Sequence, residues 1–269
     1  MARMGSHTQL NLERKILKML SGKALKTAKL LFSDEEAQFL QDYANTVSIK
    51  RLHYNDHGPV HMRKVLLNSL LLMDLLNKAG VKFSLENEGI GTFEDSKIAV
   101  IMAAFLHDVG MSVGRETHEV AGTFLATPII ERFLDTLYRE EPGKKVVLRS
   151  LIIEGMIRHM GTTNIHSLEA GIILVADGCD MEKGRARIPM MINKESEVGD
   201  IHKYSSAAIK KVDIRKGVGK PIRIEVTMTE SVGFFQVEEV LMQKIEASSI
   251  KPYIELYAGI ADQQMKKYL

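Results

Sequence analysis

The chain has one cysteine among 269 residues, almost no net charge (+2) and no apolar run long enough to cross a bilayer. A single thiol, Cys179, excludes a disulfide within the chain, so the fold must be held by its core, and a reducing compartment is the natural setting. The densest apolar stretch, Val65 to Leu76, is interrupted by Asn68, Ser69 and Asp74 and falls well short of the roughly 20 residues of a spanning helix. The first residues, Met1 to His7, lack the apolar centre of a signal peptide. Balanced charge argues against a general attraction to nucleic acid or an anionic membrane surface. A cytoplasmic protein with no membrane partner is expected. With 45% apolar residues the chain can fill the core of one large domain or a domain and a half. There is no repeat or low-complexity segment.

Helical periodicity dominates the first two thirds. Residues 8–31 carry Leu12, Ile16 and Leu20 at steps of four and are expected to form one helix. Ser33, Asp34, Glu35 and Glu36 provide a cap and an acidic first turn for a second helix through about Val47. These N-terminal helices, within residues 1–50, are expected to pack on the core that follows. Gly58-Pro59 starts a long helix to Asn77, with His61 in its first turn and a stop at Lys78-Ala79-Gly80. Loop-like sequence runs to Thr92, after which Asp95-Ser96 caps a strongly apolar helix. That helix ends in Ala103-Ala104-Phe105-Leu106-His107-Asp108. His118 lies near the next helix start, and Pro128 to Tyr138 is helical.

Two further stripes place polar side chains where apolar ones belong. Leu148, Ile152, Gly155 and His159 share one face of a helix over Val146 to Met160. Ser167 caps a helix in which Ala170, Ile173, Leu174 and Asp177 share another. Beyond Pro189 the pattern changes. A helix over Ile201 to Ile209 precedes alternating segments at 212–215 and 222–228, joined by the turn Lys216-Gly217-Val218-Gly219. A helical period at Phe234, Val237, Leu241 and Ile245 and a strand from Tyr253 to Ala258 complete a ββαβ unit. The expected fold is mainly α: a helical bundle over 51–195 and a small C-terminal α+β domain over 200–269, suited to dimerisation or regulation.

A carboxylate left unpaired beside buried surface costs several kcal/mol, so it finds a partner, a proton or a cation. Five helical segments offer His61, His107 with Asp108, His118, His159 and Asp177. Imidazole nitrogens mixed with carboxylate oxygens suit zinc, manganese, iron, cobalt or nickel, with magnesium admitted, and disfavour calcium. His53 and His57 compete with His61, and His166 competes with His159. Cys179 lies two positions beyond Asp177 and faces away from it.

The ordered set His61 in His-Met-Arg-Lys-Val, His107-Asp108 in Phe-Leu-His-Asp-Val-Gly, and Asp177 in Leu-Val-Ala-Asp-Gly resembles the HD-domain superfamily of metal-dependent phosphohydrolases. The resemblance covers about residues 50–190. It implies an HD-type helical bundle, with His107 and Asp108 as the catalytic pair. His118 and His159 fall where some members use two additional histidines for a second ion, so one or two divalent transition-metal ions are implied, Asp108 bridging them. Bound cations lower the pKa of water from about 15.7 towards 7 and make hydroxide available to attack phosphorus. Arg115, Lys183, Arg185 and Arg187 are candidates to clamp substrate phosphate.

The expected substrate is a phosphorylated small molecule, a phosphate monoester or diester of a nucleotide. Met111 stands where the cyclic-dinucleotide phosphodiesterases of that superfamily carry lysine, and neither their Gly-Tyr-Pro motif nor the paired acids of guanosine-tetraphosphate hydrolases is present, so neither substrate is assigned. A homo-oligomer is admitted as a partner state, and two competing readings are a non-catalytic, metal-stabilised regulatory or binding module signalling through the C-terminal domain, and RNA binding by Lys210, Lys211, Lys216 and Lys220. The second lacks an aromatic stacking platform and ranks last.

Overall fold

A computed structural model describes residues 5–182 and 201–269. The chain folds as a mainly helical body carrying a small C-terminal sheet, in agreement with the coarse reading of the sequence. The N-terminal periodic stretch is two helices, α1 (His7–Lys18) and α2 (Gly22–Ser33), where the sequence suggests one. The break arises at Gly22, which takes a left-handed φ of 55°. The reason is a long-range cap: Glu94 accepts hydrogen bonds from the Lys23 and Ala24 amides at 2.7 and 3.3 Å. A β-carbon at residue 22 would sit 2.4 Å from that carboxylate and displace the cap, and the left-handed φ favours glycine as well.

Helix α3 (Glu35–Thr46) starts at Asp34, whose side chain accepts from the Ala37 amide as expected, and continues into a π-helical turn, Val47–Arg51. Helix α4 (Pro59–Lys78) begins with proline in its first turn. A short α5 (Ser84–Asn87) precedes α6 (Phe93–Leu106). The cap of α6 is Thr92 and not the expected Asp95-Ser96, with Asp95 accepting a bond from the Thr92 amide at the third helical position. Every residue of α6 from Ile98 to Leu106 is buried. Each fully buried Leu, Ile or Phe of such a helix contributes about 1.5–3 kcal/mol, which makes α6 the axis against which α2, α4, α8 and α9 pack.

After a tight 3₁₀ turn, Val109–Ser112, helix α7 (His118–Leu137) starts at His118, where a helix start is expected, and forms one element with the further helical stretch expected from Pro128. It runs straight through that proline. The bond lost there is the one to the carbonyl of Phe124, a residue 77% exposed, on the solvent side of the helix. Helices α8 (Pro142–Arg158) and α9 (Leu168–Gly178) follow, the latter capped by Ser167 as expected.

The C-terminal part opens with α10 (Ile201–Ala207). Strands β1 (Ile209–Lys216) and β2 (Ile222–Met228) pair antiparallel. A crossover helix, α11, spans 234–247 with a π-helical middle, Val237–Met242. It returns the chain to β3 (Ile254–Ile260), parallel to β2 with Ile224 opposite Leu256. A further two-residue strand, β4 (Lys266–Lys267), extends the expected ββαβ order to ββαββ. Its Lys-Lys sequence carries no alternation to read. Residues 222, 224, 226 and 228 point into the core while Arg223 and Glu225 are half-buried. One hydrophobic cluster runs from α6 through Cys179 and Met181 into Ile209, Val226 and Leu241. Among the described residues no helix is long and apolar enough to cross a membrane.

Candidate metal centre

The site is assembled where α4, α6, α7, α8 and α9 converge. His61 lies in the first turn of α4, His107 and Asp108 at the end of α6, His118 at the first position of α7, His159 just past α8, and Asp177 near the end of α9. All six side chains predicted as ligands are brought together and buried, His107 at 0% and Asp177, the most open, at 8% exposure.

The backbone arranges three of the four imidazoles in the same way. Nδ1 of His107 faces the Ala104 carbonyl at 2.9 Å, Nδ1 of His118 the Arg115 carbonyl at 2.8 Å, and Nδ1 of His159 the Met156 carbonyl at 2.6 Å. A carbonyl only accepts, so these nitrogens carry the proton and donate. The Nδ1–H of His61 donates to the Asp180 carboxylate at 2.7 Å. Every Nε2 is then left with a lone pair, and all four point inward.

They meet the two oxygens of Asp108. Its Oδ2 lies 3.2 Å from His61 Nε2 and 3.4 Å from His107 Nε2. Its Oδ1 lies 3.2 Å from His118 Nε2 and 3.3 Å from His159 Nε2. Asp177 Oδ1 adds to the first half, 3.2 Å from His61 Nε2. Two groups that can hold a metal ion thus share one carboxylate: His61, His107 and Asp108, and Asp108, His118 and His159. Acceptors separated by 3.2 to 3.4 Å are spaced as neighbouring ligands around an ion with bonds of about 2.0–2.2 Å. Lone pairs and carboxylate oxygens so close together repel unless a proton or a cation lies between them. The donor set therefore fits divalent metal.

Electrostatics favour a neutral imidazole at His159 and a charged carboxylate at the centre. Burial pushes His159 down to about 4, with His107 adding to the effect against the pull of Asp108. Burial favours neutral Asp108, but positive charge at His107 and His57 and hydrogen bonds from His107 and His118, which need a proton on the Nε2 facing it, hold it well below the usual carboxylate range, so a proton and a metal ion compete for the same place. For His118 the desolvation is outweighed by Asp108, and the imidazole is raised. Burial, with the nearby carboxylates of Asp177 and Asp180, raises the Cys179 thiol, which stays out of both ligand groups.

The competing histidines separate cleanly. His53 and His166 are exposed. His57 is buried beside the site, its ring 5.8 Å from that of His61, but its Nδ1 is engaged by Ser48 Oγ and the Asn55 carbonyl. Of the candidate phosphate clamps, Arg115 is half-buried with its guanidinium 5.8 Å from the Tyr54 ring centre. Lys183, Arg185 and Arg187 lie outside the described residues.

Several contributors were not singled out from the sequence. Asp180, three positions past Asp177 and so on the same side of the α9 terminus, orients His61. Lys244, on α11, reaches the second oxygen of Asp177 and donates to the His159 carbonyl at 2.9 Å. Arg63 is buried under the site, donating to Glu13 at 2.6 Å, Gln41 at 2.9 Å and the Pro59 carbonyl at 3.0 Å. Gln41 in turn donates to the Phe105 carbonyl at 2.6 Å, which anchors the end of α6 two residues before His107. Gly110 closes the geometry on the other side. A β-carbon there would lie 1.9 Å from the His118 carbonyl oxygen and 2.5 Å from the Gly122 amide, so glycine alone lets α7 approach Asp108.

No family model matches the chain, and no solved structure matches it. A relative is found in Methanocaldococcus jannaschii, the uncharacterized protein MJ1020, 36% identical over 256 residues that cover 95% of this chain and 94% of that protein. Identity at this level along nearly the whole of both chains means that the protein belongs to the same family as MJ1020.

Proposed function

We propose that the protein is an HD-type, metal-dependent phosphohydrolase with a dinuclear centre, acting on a phosphate monoester or diester of a nucleotide. The observation that carries this reading is the shared carboxylate: Asp108 presents one oxygen to the His61 and His107 pair and the other to the His118 and His159 pair. A structural zinc site is closed by four ligands on one ion, whereas a carboxylate between two histidine pairs suits two neighbouring ions. Divalent ions held there supply Lewis-acid chemistry, lowering the pKa of water and neutralising charge on a phosphoryl group. The chain's own residues do the rest. His61, His107, Asp108 and Asp177 hold one half, and His118, His159 and Asp108 the other. Asp180 and the three backbone carbonyls fix the imidazole tautomers, and Arg115 is the described cation assigned to substrate phosphate. This reading places the enzyme in the cytoplasm with a phosphorylated small molecule as its partner.

The test is a panel of phosphate monoesters and diesters assayed with manganese, cobalt and zinc. Metal-dependent hydrolysis of at least one substrate, lost in Asp108→Ala, is expected. Equal hydrolysis by parent and variant would sink the enzyme assignment. The near-complete burial of the ligands favours a second reading, in which the metal serves folding alone. Under that reading metal removal lowers the melting temperature, and no substrate in the panel turns over.

A further inference from the structure

The C-terminal unit reaches into the metal centre through one side chain. Lys244, on α11, donates to Oδ2 of Asp177 and, at 2.9 Å, to the carbonyl of His159, so a single ammonium group touches a ligand residue of each half. Its side chain is 14% exposed and that of Asp177 10%. The route to this position is built into α9. A β-carbon on Gly178 would lie 3.1 Å from Lys244 Cδ and 3.2 Å from Leu241 Cδ1, and one on Gly171, seven residues earlier, 2.2 Å from Ser249 Oγ. Both glycines therefore let the end of α11 and the turn beyond it lie close on α9. Ser248 and Ser249 fasten that turn by donating to the Gly171 and Ser167 carbonyls at 2.9 and 2.7 Å.

The consequence concerns how Asp177 can bind. Its Oδ1 faces His61 Nε2 at 3.2 Å, on the ligand side. Its Oδ2 is held by Lys244. A carboxylate with one oxygen engaged by an ammonium offers only the other to a cation. We propose that Lys244 is a positioning residue that keeps Asp177 a one-oxygen ligand, leaving open a coordination position that a chelating carboxylate would fill. The C-terminal unit is then part of the metal centre. This inference rests on the metal reading above and deepens it.

Cobalt(II) is the probe, because its visible d–d absorption weakens as coordination number rises. Parent, Lys244→Met and Lys244→Arg are loaded with cobalt, and affinity is measured by competition with a chelator. Lys244→Met is expected to weaken the visible bands as Asp177 closes onto the ion, without the tenfold or greater loss of affinity typical when an outer partner is merely removed. Lys244→Arg, which still donates to Oδ2, is expected to keep the parent spectrum. Lys244→Leu, which also removes the ammonium and keeps an apolar stem, supplies the same test should Lys244→Met not fold. A Lys244→Met or Lys244→Leu spectrum identical to the parent overturns the proposal, as does an equal spectral change in the Met and Arg variants. Failure of the parent to bind cobalt overturns instead the metal reading on which it rests.

Discussion

Asp180 is the sharpest handle on the centre, because its carboxylate holds the tautomer of His61 from outside both ligand groups. Its carboxylate accepts the Nδ1–H of His61 at 2.7 Å, with Asp180 8% and His61 1% exposed. Replacing it by alanine removes the acceptor that fixes the imidazole tautomer, and leaves a buried N–H to be satisfied by whatever can reach it. Loss of such an outer carboxylate costs about 10–100-fold in metal affinity, equivalent to about 1.4–2.7 kcal/mol. Asp180→Asn keeps an acceptor oxygen and the shape, but removes the charge that makes the bond strong, and is expected to fall between parent and Asp180→Ala. The assay is a competitive titration of metal-free protein with zinc or manganese against a chromophoric chelator. Two binding events are expected in the parent, with the His61 and His107 event weakened in the variants and the His118 and His159 event nearly unchanged. Equal weakening of both events, or of neither, would refute the role assigned to Asp180.

Other perturbations follow from the same geometry. Gly110→Ala sets a methyl group against the His118 carbonyl and the Gly122 amide, both backbone, so α7 must retreat; chemical denaturation is expected to show a loss of order 1–3 kcal/mol, accompanied by loss of the His118 and His159 ion. Arg63→Met leaves the carboxylate of Glu13, 18% exposed, without its partner under the site, and a loss of about 3 kcal/mol is expected, reduced in Glu13→Gln/Arg63→Met as measured by a double-mutant cycle. At Asp95, burial is outweighed by hydrogen bonds from Tyr138 and Thr92 and by the charge of Lys144, so the carboxyl sits below its ordinary value. A depressed carboxyl stabilises the fold above its unfolded pKa of about 3.9 and loses that contribution as pH falls through its folded value. The stability gap between parent and Asp95→Asn is therefore expected to narrow below pH 4 in melts run from pH 7 to 3.

The predicted ligands were legible because each breaks a pattern. His159 and Asp177 stand on otherwise apolar stripes, and His107-Asp108 ends a helix whose every residue from Ile98 on is buried. Local caps were equally readable at Asp34 and Ser167, where the bonding partner is three residues away. The misreadings share a cause. The break at Gly22 depends on Glu94, 71 residues on from the Lys23 amide that it caps, and the run of α7 through Pro128 depends on which side of the helix meets water. Lys244 lies 67 residues from Asp177 on a helix whose period gives no hint of a polar task. Asp180 stands on none of the apolar stripes, so no pattern marks it. Its role depends on His61 Nδ1, 119 residues away in the sequence.

The most direct measurement is the metal content of the purified protein after saturation with manganese or zinc and removal of excess, parent beside Asp108→Ala. Two ions per chain in the parent, and at most one in the variant, are expected of a carboxylate that serves both histidine pairs. A parent that retains none, or a variant that retains as many as the parent, would contradict the shared-carboxylate centre.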